Sequence, residues 1–200
     1  MSIQQQRRGA LVDVLVARPS QSSAPVVAAR EVALAALGVI LLALSARVII
    51  PLPFTPVPIT GQTFMVLLLA AAYGWRRGLA TVTLYLLAGV AHLPVFAAVP
   101  GVATYGYLVG FALAAVVVGW LAERGWDRKL LTSILAMLAG EVAIYACGLL
   151  WLARFVGWSN VIAFGLTPFL IGDALKLLAA ALLAPAAWYA TRRALGQEPR

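Results

Sequence analysis

Two charged residues one helical turn apart are the strongest indication of chemistry in this sequence. Asp173 and Lys176 lie in the largely apolar string Gly172-Asp-Ala-Leu-Lys176, and positions i and i+3 share one face of a helix. A carboxylate accepts hydrogen bonds and an ammonium group donates them, so the pair suits a small polar ligand. A structural interpretation is also open, in which the two charges neutralise each other so that the helix can enter a membrane. Charge within a membrane costs about 2.5 kcal/mol or more, which favours the ligand site.

Other polar side chains also interrupt the apolar runs. Glu141 lies in the middle of a run, with Tyr145 four residues later on the same helix face. It belongs either to a ligand site or to the structure, as a protonated, hydrogen-bonded carboxyl. His92 falls at the end of a run, where it contacts a ligand or lies at the membrane interface. Arg47 also falls near the end of a run, and its long side chain can reach the interface, which favours an interfacial role.

The residue counts exclude several kinds of site. Cys147 is the single cysteine and His92 the single histidine, so neither an intramolecular disulfide nor a multi-histidine metal site can form. The two lysines, Lys129 and Lys176, do not follow a glycine, so there is no Gly-Lys-Ser/Thr phosphate loop. We therefore expect no cofactor, no metal and no enzymatic activity in this chain. Any ATP hydrolysis that its function uses is expected to come from separate ATPase subunits.

The composition places these residues in a membrane. Of the 200 residues, 63% are hydrophobic and 11% are charged, whereas soluble domains are about half apolar and about a quarter charged. A soluble globule could not cover so much apolar surface, and a disordered chain needs low hydrophobicity. The sequence therefore predicts an all-α integral membrane protein. Because a span takes about 20 residues, it predicts six transmembrane helices and no second, soluble domain.

Six apolar runs separated by loops divide the chain, at about 32–50, 59–74, 79–93, 106–122, 130–151 and 167–190. The loop at 51–58, here called the proline loop, has four prolines in eight residues, so it is predicted to be extended and stiff. Residues 75–78 are predicted to form a tight charged turn. The spacing Gly106-x-x-x-Gly110 predicts close packing between helices.

The basic residues predict the orientation in the membrane. Twelve of the 15 fall on one side of the six predicted spans: Arg7, Arg8, Arg18, Arg30, Arg76, Arg77, Arg124, Arg128, Lys129, Arg192, Arg193 and Arg200. Cytoplasmic loops are rich in Arg and Lys, so both termini are predicted to be cytoplasmic. This gives a mobile N-terminal tail over 1–29, a transmembrane domain over 30–191 and a C-terminal tail over 192–200. The net charge of +8 thus indicates topology and not a nucleic-acid partner.

The proline loop and the residues after it resemble the signature of a known family. Pro51-Leu-Pro-Phe-Thr-Pro-Val-Pro-Ile-Thr-Gly-Gln62-Thr63 closely resembles that of the BioY family, the biotin-binding S-components of energy-coupling factor (ECF) transporters. Further strings match in the same order: Gly74-Trp-Arg-Arg-Gly78, Leu84-Tyr-Leu-Leu-Ala-Gly89, Leu93-Pro-Val-Phe96, Gly106-Tyr-Leu-Val-Gly-Phe111, Ile144-Tyr145, and Pro168-Phe169 followed by Gly172-Asp173 and Lys176. The resemblance covers about residues 32–190.

The resemblance implies high-affinity biotin binding and uptake across the bacterial cytoplasmic membrane by an ECF S-component-like bundle. It implies assembly in the lipid bilayer with a transmembrane coupling subunit and two ATPase subunits. Asp173 would accept hydrogen bonds from the ureido N–H groups of biotin, and Lys176 would donate to its carbonyl or carboxylate. The proline loop would form an outer lid. The remaining expected substrate-binding residues are Gln62, Thr63, Phe54, Tyr85, His92, Glu141 and Tyr145.

Three alternatives stay open at this point. An S-component for another vitamin would share the same architecture. A membrane enzyme of lipid metabolism would carry several acidic metal ligands near the cytoplasmic face, but the predicted cytoplasmic loops have only Glu123 and Asp127 and no paired-carboxylate motif. A structural or assembly subunit without a ligand would not need the buried pair of Asp173 and Lys176.

Overall fold

The computed structural model describes residues 9–16, 23–97 and 101–196. In these residues seven α-helices and one hairpin follow each other: α1 (Leu11–Leu15), α2 (Ala24–Ser45), β1 (Ile49–Ile50), β2 (Ile59–Thr60), α3 (Gln62–Val90), α4 (Tyr105–Glu123), α5 (Leu130–Val156), α6 (Val161–Gly165) and α7 (Leu170–Ala194). Short 3₁₀ turns at Val102–Thr104 and Trp126–Arg128 precede α4 and α5. The predicted tail segments 1–8, 17–22 and 197–200, with Arg7, Arg8, Arg18 and Arg200, lie outside the described residues, as does 98–100 of the loop before α4.

Four helical segments of the described chain are long and apolar enough to cross a membrane: Ala24–Ser45, Val102–Glu123, Leu130–Val156 and Leu170–Ala194. Large apolar side chains stay exposed along these segments, for example Leu44, Val109, Leu131 and Ile171. An exposed surface of this kind suits lipid and not water. The prediction of a helical membrane protein is therefore confirmed, with one short β-hairpin and with four such segments in the described residues where the sequence predicts six.

The second and third predicted runs both lie in α3, which is broken at a single residue. Gly74 has φ 77° and ψ 173°, so the helix stops and restarts there. Both Gln62, at the start of α3, and Phe96, just after its end, line the same cavity, so the chain reverses direction at this break. The turn predicted at 75–78 lies instead at Gly74, since residues 75–78 are already helical. Glycine is the residue that adopts the φ and ψ angles of position 74 without strain.

A polar contact stabilises the reversal at Gly74. The carboxylate of Glu123, the last residue of α4, accepts a hydrogen bond from the backbone N–H of Trp75 at 3.2 Å. A Cβ atom at position 74 would lie 2.4 Å from Oε1 of the same carboxylate. We call the end of the bundle that holds Gly74, Glu123 and Asp127 the far end, and the end that holds β1 and β2 the hairpin end.

A short helix occupies part of the predicted N-terminal tail. Leu11 and Val12 of α1 are buried, because its apolar side packs at the far end against α3 and α7. Asp13 of α1 forms a 2.9 Å ion pair with Arg77 of α3, whose guanidinium also pairs with Glu31 of α2. These contacts order residues that the sequence assigns to a mobile tail, and α2 begins at Ala24 and not near residue 30.

Small residues allow α4 and α5 to pack closely, as the spacing of Gly106 and Gly110 predicts. A Cβ atom at position 110 would lie 2.8 Å from the backbone of Ile144, and one at position 106 would lie 2.6 Å from the carbonyl oxygen of Cys147. Neither distance leaves room for a methyl group. This contact fixes the middle of α5, which carries cavity residues, against the start of α4.

Asp127 is a buried carboxyl at the far end, in the turn between α4 and α5. One of its oxygens accepts a hydrogen bond from the indole N–H of Trp188 in α7. The guanidinium groups of Arg128 and Arg192 both lie near the Trp188 ring, at 4.5 and 5.6 Å from its centroid. Burial raises the pKa of Asp127 to about 6, although the Trp188 hydrogen bond and the two arginines oppose this shift.

The free energy of unfolding should therefore depend on pH through Asp127. Its carboxyl ionises near pH 3.8 when exposed and near pH 6 in the fold, so the unfolded chain releases this proton first as the pH rises. The contribution of Asp127 is greatest below pH 3.8 and declines until about pH 6. Between about pH 4.5 and about pH 7.5 we expect this group alone to lower the free energy of unfolding by about 2 kcal/mol.

Thermal unfolding in detergent of the wild type and Asp127→Asn across that pH range measures the effect. The asparagine keeps an acceptor for the Trp188 N–H group and has no carboxyl proton to release. The wild type should therefore gain several degrees in Tm relative to Asp127→Asn as the pH is lowered. Parallel pH profiles of the two proteins would contradict the assignment.

Candidate ligand-binding site

A cavity of about 660 Å³, counting its open mouth, lies at the hairpin end of the bundle. Its wall is formed by the hairpin, the start of α3, the loop after α3, the start of α4, the middle of α5 and the start of α7. The lining residues are Val57, Pro58, Ile59, Thr60, Gln62, Thr63, Phe96, Ala97, Thr104, Tyr107, Leu108, Phe111, Ile144, Tyr145, Phe169, Asp173 and Lys176.

Asp173 is the centre of the polar part of the cavity. Its side chain accepts hydrogen bonds from Lys176 at 2.8 Å, from the Thr63 hydroxyl at 3.3 Å and from the Tyr145 hydroxyl. Lys176 also lies 3.4 Å from the Thr63 hydroxyl. Asp173 is 8% exposed, so the ion pair is largely withdrawn from water. A pair of this kind needs further polar partners to offset its desolvation, and Thr63 and Tyr145 supply them.

The rest of the wall is mainly aromatic and aliphatic. Tyr107 and Tyr145 meet edge to face, with ring centroids 6.3 Å apart, and the Tyr107 hydroxyl donates to the carbonyl oxygen of Gly165 at 2.7 Å. Phe111 and Phe169 are buried beside them. Such a wall suits the apolar rings and chain of a ligand, while Asp173 and its partners orient the polar end.

The proline loop lies over the cavity as the loop of a short hairpin. Ile49 pairs with Thr60 and Ile50 with Ile59, so the two ends of the loop are held side by side. The Thr55 hydroxyl donates to the carbonyl oxygen of Phe164 in α6 at 2.8 Å, and it accepts from the backbone N–H of Val57 at 3.2 Å. The loop is thereby attached to α6, and Val57 and Pro58 face the cavity.

Five of the nine predicted site residues line the cavity together: Gln62, Thr63, Tyr145, Asp173 and Lys176. Tyr85 is fully buried behind the wall, where its hydroxyl contacts the Gln62 amide. Glu141 is 4% exposed and is not part of the lining, and neither of its carboxylate oxygens has a hydrogen-bond partner in the described chain. Phe54 is 55% exposed, His92 is also exposed, and neither lines the cavity.

Four of the five aromatic lining residues were not predicted as site residues. The resemblance to the family was the signal that could have identified them, because the matching strings contain Phe96, Tyr107, Phe111 and Phe169. Their types alone do not distinguish a cavity wall from a lipid-facing surface, since both are apolar. Among the described residues no cluster of three or more His, Cys, Asp or Glu side chains is arranged to hold a metal ion.

A bundle of apolar helices around a cavity with one buried ion pair defines a multi-pass cell-membrane protein that binds a small, partly polar ligand. The chain belongs to the BioY family, whose profile matches residues 18–193.

Curated relatives support the same family assignment. The chain is 34% identical over 162 residues to "Probable biotin transporter BioY" of Pyrococcus horikoshii, covering 78% of this chain and 94% of the relative. It is 39% identical over 142 residues to "Biotin transporter BioY" of Thermotoga maritima, covering 68% and 83%. It is 36% identical over 169 residues to "Biotin transporter BioY" of Rhizobium etli, covering 77% and 90%.

The fold matches a crystal structure described as the S-component for biotin from an ECF-type ABC transporter. The TM-score is 0.69 with 18% sequence identity, and the match covers 82% of this chain and 94% of the other. The fold is therefore that of an S-component, as the sequence predicts.

Proposed function

We propose that this protein binds biotin in the cavity at the hairpin end and is the substrate-capture subunit of an ECF-type biotin transporter. Its relatives carry the name biotin transporter, and its fold is that of a biotin S-component. The observation that carries the proposal is the buried pair of Asp173 and Lys176, which lies in the polar part of a mainly apolar cavity wall.

The chemistry of the cavity fits the chemistry of biotin. The ureido ring has two N–H donors and one carbonyl acceptor, so it needs both an acceptor such as Asp173 and a donor such as Lys176 or Thr63. The thioether ring and the aliphatic tail are apolar and match the aromatic wall of Tyr107, Phe111 and neighbouring residues. A bound ligand of this kind leaves neither buried charge without a partner.

The transmembrane topology is part of the proposal. The two halves of α3 on either side of Gly74 act as two spans, which with α2, α4, α5 and α7 makes six. The far end carries most of the basic residues of the described chain: Arg30, Arg76, Arg77, Arg124, Arg128, Lys129, Arg192 and Arg193. Because basic residues favour the cytoplasmic side, the far end and both termini face the cytoplasm and the cavity opens outward.

Transport requires partners in this proposal. The chain carries the S-component fold, and its sequence has no Gly-Lys-Ser/Thr phosphate loop. A transmembrane coupling subunit and two ATPase subunits therefore supply the energy, and this subunit itself catalyses no reaction. Biotin is captured at the outward cavity and released to the cytoplasm.

Ligand binding to the purified chain in detergent tests the proposed function. We expect saturable binding of biotin with one site per chain and competition by desthiobiotin, which keeps the ureido ring. Thiamine and riboflavin should not compete. Binding of either of those vitamins in place of biotin would assign the chain to another S-component, and no binding of any of the four compounds would contradict a vitamin site altogether.

A further inference from the structure

Tyr85 connects the cavity with the loop that follows α3. Its hydroxyl lies 2.7 Å from Nε2 of Gln62, which lines the cavity, and 3.1 Å from the carbonyl oxygen of Val95 in the loop. The ring of Phe96, another lining residue, packs edge-on against Tyr85 with centroids 5.3 Å apart. Tyr85 itself is fully buried and does not face the cavity. It therefore contacts two lining residues without reaching the ligand space.

The direction of both hydrogen bonds follows from the number of protons. A carbonyl oxygen only accepts, so the single hydroxyl proton of Tyr85 goes to Val95. Toward Gln62 the hydroxyl is then an acceptor, and the group that faces it is the amide NH₂. The amide oxygen Oε1 of Gln62 points away from Tyr85 and accepts no hydrogen bond from the part of the chain that the structure describes.

A second hydrogen-bond acceptor for the ligand is needed because Asp173 already accepts three hydrogen bonds. Its Oδ1 accepts from both Lys176 and Thr63, and its Oδ2 accepts from Tyr145. A cyclic urea brings two N–H donors on one rigid ring. One carboxylate with three donors in place is poorly suited to satisfy both of them, since a buried donor without an acceptor costs about 1–3 kcal/mol.

We propose that Tyr85 is a positioning residue that fixes the Gln62 amide so that its Oε1 atom accepts one ureido N–H of the ligand. The proposal rests on the proposed function, because it concerns how the same cavity selects a cyclic urea. It assigns the two ring donors to two acceptors, Asp173 and Gln62. It also explains why Tyr85 has a polar atom, where a phenylalanine would fill the same space.

The test uses Tyr85→Phe and two biotin analogues. In each analogue one ureido N–H is replaced by a ring oxygen, which gives the two isomeric cyclic carbamates. The matched control is Tyr73→Phe, since Tyr73 is also a buried residue of α3 whose hydroxyl donates to one backbone carbonyl, that of Leu34 at 3.0 Å, away from the cavity. Dissociation constants of biotin and both carbamates are measured for each full-length protein.

In the wild type, one carbamate isomer should bind at least about tenfold more weakly than biotin, because its ring oxygen faces an oriented acceptor. In Tyr85→Phe the amide can turn its NH₂ group to that oxygen, so the penalty for this isomer should fall to about threefold or less. Tyr73→Phe should keep the wild-type penalty. Should Tyr85→Phe fail to fold, Gln62→Leu serves instead, because it removes Oε1 and should bring the penalty down in the same way.

An unchanged carbamate penalty in Tyr85→Phe would overturn the proposal, even if biotin itself bound more weakly, because a structural role lowers all affinities together. Equal binding of biotin and both carbamates to the wild type would also overturn it. A wild-type protein that binds no biotin would instead contradict the proposed function itself, and this inference with it.

Discussion

Replacement of Lys176 by methionine should lower the affinity for biotin by about a hundredfold. Lys176 is the cation within ion-pair distance of Asp173, at 2.8 Å, and both side chains are largely buried. Without it, Asp173 is a buried carboxylate with no counter-charge, and breaking a buried pair in this way costs about 3–5 kcal/mol. The cavity loses its charged donor, and the remaining carboxylate loses the partner that holds it in place. Hydrogen bonds to charged groups are worth about 1.5–3 kcal/mol each, and about 1.4 kcal/mol corresponds to a tenfold change in affinity.

Titration of biotin against Lys176→Met, with Lys129→Met as the control, measures this effect. Lys129 is the only other lysine of the chain and lies exposed at the far end, outside the cavity. Its replacement should leave the affinity unchanged. The double variant Asp173→Asn/Lys176→Met should recover thermal stability relative to Lys176→Met, because no uncompensated charge is left, yet it should not recover binding. Biotin affinity within threefold of wild type in Lys176→Met would disprove a ligand role for the pair.

The sequence alone pointed to five of the residues that the structure brings together in the cavity wall. Asp173 and Lys176 are conspicuous because charge is rare inside apolar runs, and a spacing of three residues places both on one helix face whatever the rest of the fold. Gln62 and Thr63 could be found only through the resemblance of the proline loop, since neutral polar residues at a helix start have several ordinary roles. The ligand role of all these residues stays a prediction that the binding experiments must test.

There is a physical reason why the apolar half of the site could not be predicted from the sequence. In a soluble helix, polar and apolar faces differ, and the period of the pattern shows which face is buried. In α4 nearly every residue is apolar, and Phe169 directly precedes the largely apolar first part of α7. Phe111 and Phe169 in the wall therefore do not differ in type from residues that face lipid. Phe54 and His92 were expected to contact the ligand, but both are exposed and neither lines the cavity, because a loop or a helix end beside a cavity can direct a side chain away from it.

Replacement of Gly74 by alanine should destabilise the fold by about 3 kcal/mol, which corresponds to a decrease in Tm of about 6–12 °C for a protein of this size. Two independent effects contribute. The backbone at position 74 has φ 77° and ψ 173°, a conformation that side chains with a Cβ atom adopt only under strain. The new Cβ atom would also lie 2.4 Å from Oε1 of Glu123, the oxygen that accepts the Trp75 N–H group.

Thermal unfolding of four variants separates the two effects. Gly172→Ala is the control, because a Cβ atom there meets nothing within 4 Å, and its helical position favours alanine by about 1 kcal/mol. Gly74→Ala combined with Glu123→Ala relieves the steric overlap but not the backbone strain, so it should stay well below Glu123→Ala alone. If Gly74→Ala were as stable as Gly172→Ala, the chain would not need a glycine to reverse there. The reversal brings Gln62 at the start of α3 and Phe96 beyond its end to one cavity, so this glycine at the far end is a condition for the site at the hairpin end.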